Sequence, residues 1–184
     1  MMRLWAPAVM MLLMPSFSFS SEAPVSISSL VGFSAPKGWR SHEEAILGEP
    51  VVTLSSGSRR MTLELFGGKD SRHETAKAFL ESFEARGDDG KPAASLGRVK
   101  VSGRGVRAYA RRYSMSGRGR DPDDLARPEI LDQQFVLLPV GEKFLAVSWT
   151  RSSIPDLAGA PAAKKLEPEF AGFLKSLKIR RSPR

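Results

Sequence analysis

The chain has 184 residues, a length typical of one domain, with 28 Lys and Arg against 20 Asp and Glu. Cysteine is absent, which excludes disulfides, thiol nucleophiles and cysteine-based redox chemistry. The formal net charge of +8 favours an anionic partner such as lipid head groups, glycans or an acidic protein.

Residues 1–20 have the pattern of a secretory signal peptide. Arg3 gives the positive start, an apolar stretch reaches Met14, and small residues precede a cleavage site after Ser20. The apolar stretch is too short to span a bilayer, which needs about 20 residues. We therefore expect an exported protein, periplasmic or extracellular, with no transmembrane anchor after signal cleavage and no nucleic-acid partner. A buried N-terminal helix is the alternative interpretation.

The expected domain organisation is simple. A serine-rich lead-in linker covers 21–30, one domain spans 31–179, and a basic tail covers 180–184. Within the domain, a turn enforced by Pro36 and Gly38 is followed by Trp39, which we expect to cover one end of a sheet.

The first half of the domain predicts strands followed by a helix. Segment 40–46 predicts an edge strand, and 51–55 with 60–66 predict a hairpin. Ser71 and Glu74 have the spacing of a capping box, in which each side chain bonds to the backbone of the other. The apolar residues that follow at helical spacing predict a helix over 71–86. They are Ala76, Phe79, Leu80 and Phe83.

The second half predicts two more hairpins and a closing helix. Strands over 96–102 and 106–115 are expected first, joined by a Gly-Arg-Gly turn. The stretch 130–150 then predicts a central hairpin, apolar on both faces, which requires cover above and below. A helix over 167–178 is expected to begin at Pro168, where a missing amide costs nothing.

This order of elements resembles the PsbP-like (DcrB-like) α/β/α sandwich superfamily. The resemblance covers about residues 31–179 and depends on short motifs, Phe33-x-x-Pro36-x-Gly38-Trp39 and the closing run 173–179. It implies an α+β fold, a mainly antiparallel β-sheet flanked by helices on both faces. It also implies a role in binding or assembly and no catalysis. No functional residue of the family can be transferred to this chain.

Several catalytic or metal-binding patterns are incomplete. His42 and His73 each begin a zinc-protease motif, but Ile46 and Lys77 occupy the second ligand positions, and both histidines are expected to be exposed. The run 103–108 imitates a dinucleotide fingerprint but lies between strands. Asp121, with Asp123 and Asp124, lacks the glycine and the further oxygen ligand of a calcium loop. We therefore predict no catalytic residue, no cofactor and no metal.

The least random feature is a basic run from Arg98 to Arg120 without any acidic residue. Arginines and tyrosines alternate in part of it, a combination enriched at interfaces. The candidate partner-binding residues are Arg98, Lys100, Arg104, Arg107, Tyr109, Arg111, Tyr113, Arg118 and Arg120. Two alternatives remain: a solvated sheet edge protected by charge, or a face that a helix covers, with the arginine stems lying across it.

The sequence thus predicts a non-catalytic envelope protein whose partner is an unknown envelope protein or an anionic surface. Two other classes of function remain open. One is a small-ligand carrier with a cleft between sheet and helix, lined by Trp39 and Trp149. The other is a hydrolase that uses dispersed carboxylates, for which two carboxyl groups of raised pKa in one pocket would be the sign.

Overall fold

The computed structural model describes residues 26–115, 129–153 and 164–180. These residues form a seven-stranded antiparallel sheet, a two-stranded sheet and three short helices. The prediction of a mainly antiparallel sheet is confirmed. The helices are α1 (Ile27–Leu30), α2 (Ala76–Glu81) and α3 (Pro168–Ser176), and the strands are β1 (Val31–Gly32), β2 (Arg40–Ile46), β3 (Glu49–Ser56), β4 (Arg59–Phe66), β5 (Ala94–Val101), β6 (Arg104–Met115), β7 (Glu129–Val140), β8 (Lys143–Ser153) and β9 (Lys178–Ile179).

The large sheet has the strand order β2-β3-β4-β8-β7-β6-β5, so the predicted central hairpin β7–β8 is indeed central. The predicted edge strand 40–46 is β2, at one edge. The strand β5 forms the opposite edge. The turn between β5 and β6 begins one residue earlier than expected and contains only two residues, Ser102 and Gly103, both with a positive φ, as a two-residue hairpin turn requires.

The strands β7 and β8 are buried on both faces, as their sequence predicts. On one face, Val136 and Val147 belong to a large cluster with Phe170 and Leu174 of α3. On the other face, Phe135 belongs to a smaller cluster that includes Phe79 of α2. Neighbouring residues of β7 alternate between the two faces, so each face of the hairpin contributes to a different cluster. We call these the large core and the small core.

The helix expected over 71–86 is much shorter in the structure. Ser71 cannot cap it, because the Ser71 hydroxyl donates to Glu49 and accepts from the amide of Gly67. Thr75 is the N-cap, and its hydroxyl accepts from the amide of Ala78. At the other end Ser82 interrupts the helix and starts a 3-10 turn, Phe83–Ala85.

This interruption changes which residues are buried. Phe79 lies in the small core, as the spacing predicts, but Phe83 is 80% exposed. Ala85, beyond the break, is fully buried in its place. The expectation that Phe83 lies on the buried helix face is therefore wrong, because the change from helix to 3-10 turn rotates the chain at Ser82.

The two ends of the domain meet at the large core. Ile27, expected in a loose lead-in, is fully buried there, and β1 pairs with β9 through Val31 and Ile179. Trp39 is partly buried against the same core, and the guanidinium of Arg59 lies over its ring at 5.6 Å.

The closing helix is close to its prediction, with Pro168 in its first turn. No helix within the described ranges is long and apolar enough to cross a membrane.

Candidate functional site

Four of the predicted partner-binding residues form one exposed surface on the β5–β6 hairpin. Arg98 and Lys100 lie on β5, Arg107 on β6 and Arg104 at the turn, and all four are exposed. Since Val99 and Val106 belong to the large core, Arg98, Lys100 and Arg107 point to the opposite face of the sheet. We call these four residues the basic hairpin surface.

No acidic side chain among the described residues neutralises the charges of this surface. Arg98 is directly opposite Arg107 across the two strands, an arrangement that destabilises a sheet. Within the described parts of the chain, none of the four cations forms an ion pair. Arg104 donates to the backbone oxygen of Pro139, at 3.2 Å. The sequence contains no Asp or Glu from 91 to 115.

The rest of the predicted arginine–tyrosine stripe is only partly exposed. The ring of Tyr109 stacks on Phe135 at 5.2 Å and packs against the small core. Arg111 donates to Gln133 Oε1 at 2.5 Å and to the backbone oxygens of Phe83 and Arg86 at 2.9 and 3.0 Å. Burial lowers the pKa of Arg111 from its ordinary value. Through these hydrogen bonds Arg111 connects the sheet to the 3-10 turn and to the residue that follows it.

Tyr113 packs against Arg111 on the same face of β6. The Arg111 guanidinium lies 4.1 Å above the centre of the Tyr113 ring. Burial raises the pKa of the Tyr113 hydroxyl, although Arg111 and Arg60 act in the other direction. The stripe thus divides into a basic, exposed end at Arg107 and a packed end at Tyr109, Arg111 and Tyr113.

Arg118 and Arg120 lie outside the described residues, as does the acidic run at Asp121. Arg112 is in the basic run but on the other face of the sheet, where its guanidinium is 2.6 Å from Asp132. Arg151 is 3.8 Å from the same carboxylate and 4.0 Å from Glu167 at the start of α3. These groups connect the sheet with the closing helix.

The structure also contains a charged cluster that the sequence did not predict. Arg72 contacts the carboxylates of Glu49 at 2.5 Å, Glu64 at 3.1 Å and Glu84 at 3.4 Å. The guanidinium is close to the ring of Phe66, 5.1 Å from its centre. The three glutamates come from β3, β4 and the 3-10 turn. The alternation of β4 places Glu64 on the small-core face, but no local pattern relates it to Glu49 or Glu84.

The carboxyl groups around Arg72 have different acidities. Burial raises the pKa of Glu64, with the Arg72 charge opposing it and the Glu84 charge adding to it. Burial also acts on Glu49, but hydrogen bonds from Ser71 and Arg72 outweigh it and lower the pKa of that carboxyl. The pKa of Glu64 is thus raised while that of Glu49 is lowered. The hydrolase alternative predicts two carboxyl groups of raised pKa in one pocket, and this cluster does not match that pattern.

The two histidines differ from each other. His42 is exposed, as expected, 3.8 Å from Glu44. His73 is buried, so its expected exposure is wrong. Its ring fills the gap between Phe66 and Phe79, at 5.1 and 5.0 Å, with Nε2 3.2 Å from a Glu84 carboxylate oxygen. Across the described residues, no three metal-ligating side chains converge.

The two tryptophans proposed to line a ligand cleft both pack against the large core. Trp149 is 2% exposed, and Trp39 is partly buried at its margin. Trp149 is therefore enclosed by other protein groups, whereas Trp39 keeps part of its surface exposed.

Comparisons with known proteins give similarities of fold at low sequence identity. No protein family and no curated protein matches the chain. A protein from Bacteroides thetaiotaomicron is similar at 12% identity with a TM-score of 0.47; the match covers 84% of this chain but only 47% of that one. LpqN of Mycobacterium tuberculosis, a protein involved in cell envelope biogenesis, is 12% identical with a TM-score of 0.42, over 86% of this chain and 90% of LpqN.

A third similar structure is the Saccharomyces cerevisiae Ran-binding protein Mog1p. It is 12% identical to this chain with a TM-score of 0.42, over 84% of this chain and 93% of Mog1p. The described residues form a sheet-dominated fold, and the basic hairpin surface is their main exposed cluster of cations.

Proposed function

We propose that this chain is a non-catalytic binding protein that engages an acidic partner protein through the basic hairpin surface. The observation that supports this most strongly is the pair of arginines Arg98 and Arg107, directly opposite each other and without a counterion among the described residues. Lys100 and Arg104 add two more exposed cations within the same hairpin.

The proposal follows from the electrostatics of such a surface. Like charges in register cost free energy in the free protein, and a partner carboxylate near them reduces that cost while adding charge-assisted hydrogen bonds. Arginine side chains match carboxylates with two parallel N–H donors, which gives orientation as well as attraction. A patch of one sign also steers an oppositely charged partner and accelerates association.

We further propose that the protein is exported and acts in the envelope or outside the cell. Support comes from the leader-like pattern of residues 1–20. A PsbP-like α/β/α sandwich belongs to the same proposal. The separate large and small cores, one containing α3 and the other α2, support it.

Retention of a partner from an envelope extract tests this function. The R98A/R107A double variant is compared with K37A/K69A, which removes the same charge at exposed lysines elsewhere. We expect R98A/R107A to lose most of the captured partner, while K37A/K69A retains it. Raising the salt concentration to about 0.5 M should release the partner from the wild type, because exposed charges are then screened within a few ångströms.

Two results would contradict the proposal. One is capture that is unaffected both by salt and by R98A/R107A. The other is an equal loss for R98A/R107A and K37A/K69A, which would indicate a response to net charge alone.

A further inference from the structure

The edge strand β5 carries free backbone groups beside the same cations that form the basic hairpin surface. The turn between β5 and β6 contains two residues, so the pair Val101 and Arg104 closes a tight hairpin. In such a hairpin the closing residues exchange hydrogen bonds, and every second residue of the strand does the same. The backbone groups of Val101 and Val99 therefore face β6, and those of Lys100 and Arg98 face outward.

The outward side of this segment is open in the described structure. No described residue exchanges a backbone hydrogen bond with Arg98 or Lys100 across the edge. The regular segment is short, because a β-bulge between Ser95 and Gly97 ends it on one side. At the other end the Ser102 hydroxyl accepts from the amide of Ile179 in β9. The free edge is thus the three residues Arg98, Val99 and Lys100.

Resting on the function proposed above, we propose that the acidic partner binds as an extended strand added antiparallel to β5. Its residues opposite Arg98 and Lys100 would share their face of the sheet, since directly opposed residues point the same way. These positions fit Glu or Asp. The residue between them would point to the other face, beside the partly buried Val99 and Leu96, and fits an apolar side chain. The recognised motif is acidic–apolar–acidic in an extended conformation.

Charge also selects between the two edges of the sheet. The other edge strand, β2, has the sequence RSHEEAI, with Glu43 and Glu44 in its middle. Glu43 is engaged by the hydroxyl of Ser26 and the amide of Ile27, and Glu44 is exposed. An acidic strand is repelled at β2 and attracted at β5, so only one edge fits the partner. In this mode the backbone provides affinity and the side chains select the sequence.

The test uses the purified protein and labelled peptides in fluorescence anisotropy. One peptide alternates Glu and Val, and a second has the same composition with all Glu residues grouped, so that only the alternation differs. We expect the alternating peptide to bind at least tenfold more tightly. Methylation of the Glu backbone amides, which face β5 in this arrangement, should abolish binding, and methylation of the Val amides should leave it unchanged.

Variants of the protein separate charge from backbone pairing. K100A removes one charge, and K100P removes the same charge together with an outward amide, a change that an edge strand tolerates. We expect K100P to bind the alternating peptide at least fivefold more weakly than K100A. Unfolding curves of both variants show whether each remains folded.

The remaining outcomes are distinguishable. If both peptides bind equally and R98A/R107A weakens both, the strand-addition mode is overturned while the function proposed above stands. If neither peptide binds, or if vesicles of phosphatidylglycerol bind and the peptides do not, strand addition is overturned. The proposed function is then tested separately, by the retention of a partner from the envelope extract.

Discussion

Arg107 and Arg111 lie on the same face of β6, four residues apart, yet their surroundings differ. Arg111 is half-buried and hydrogen-bonded to Gln133 and to two carbonyl oxygens, whereas Arg107 is exposed. We expect R111A to lower the free energy of unfolding by about 2 kcal/mol, because hydrogen bonds to a charged group are lost. We expect R107A to change it by less than about 0.5 kcal/mol, as for other exposed residues. Urea unfolding measures both, and equal effects would contradict the division of the stripe.

The glutamates around Arg72 give a second residue-scale prediction. The pKa of Glu49 is lowered by folding, so its contribution to stability is present above pH 4.5 and is lost as the pH falls through the folded-state pKa. The pKa of Glu64 is raised, so its contribution is present below pH 4.5 and is lost as the pH rises through the folded-state pKa. At neutral pH, E49Q should therefore destabilise the protein by about 1–3 kcal/mol, and E64Q should be neutral or stabilising.

Unfolding curves at pH 7 and pH 3 test this contrast, with the exposed E142Q as the control. The effect of E49Q should shrink as the pH falls through the lowered folded-state pKa of Glu49, and the effect of E64Q should shrink as the pH falls through the raised pKa of Glu64. Destabilisation of similar size by E49Q and E64Q at pH 7 would contradict the described geometry.

At the scale of single elements, α2 shows what periodicity predicts and what it misses. The apolar spacing identified Phe79 as a core residue, because the residues on the buried face of a helix are apolar at a regular spacing along the chain. The helix ends depend on distant contacts. The Ser71 hydroxyl donates to Glu49 at the start of β3, and Ser71 therefore does not cap the helix. A pattern within one segment contains no information on such a bond.

This difference predicts unequal effects of two phenylalanine substitutions. F79A should cost about 3–5 kcal/mol, because it leaves a cavity in the small core. F83A should cost less than about 0.5 kcal/mol, because that ring is 80% exposed. Thermal or urea unfolding distinguishes this from the continuous helix over 71–86, in which both rings would be buried and both substitutions costly.

Over the domain, the sequence predicted the sheet better than it predicted the candidate site. The central position of β7–β8 followed from apolar residues on both faces, since such strands must be covered. The basic run was visible in the sequence, but its division into an exposed end and a packed end was not. This division depends on a contact between distant parts of the chain, in which Arg111 donates to the backbone oxygen of Arg86, 25 residues earlier. The cluster around Arg72 was missed for the same reason.

Site-specific photo-crosslinking shows whether the basic hairpin surface contacts a partner protein in the cell. A photo-reactive residue replaces Lys100 in the basic hairpin surface or, as a control, the exposed Lys69, and the cells that produce the protein are irradiated. We predict a discrete adduct with one partner protein at position 100, lost when R98A/R107A is added, and none at position 69. No adduct at position 100, or the same adducts at both positions, would contradict the assignment of this surface as the binding site.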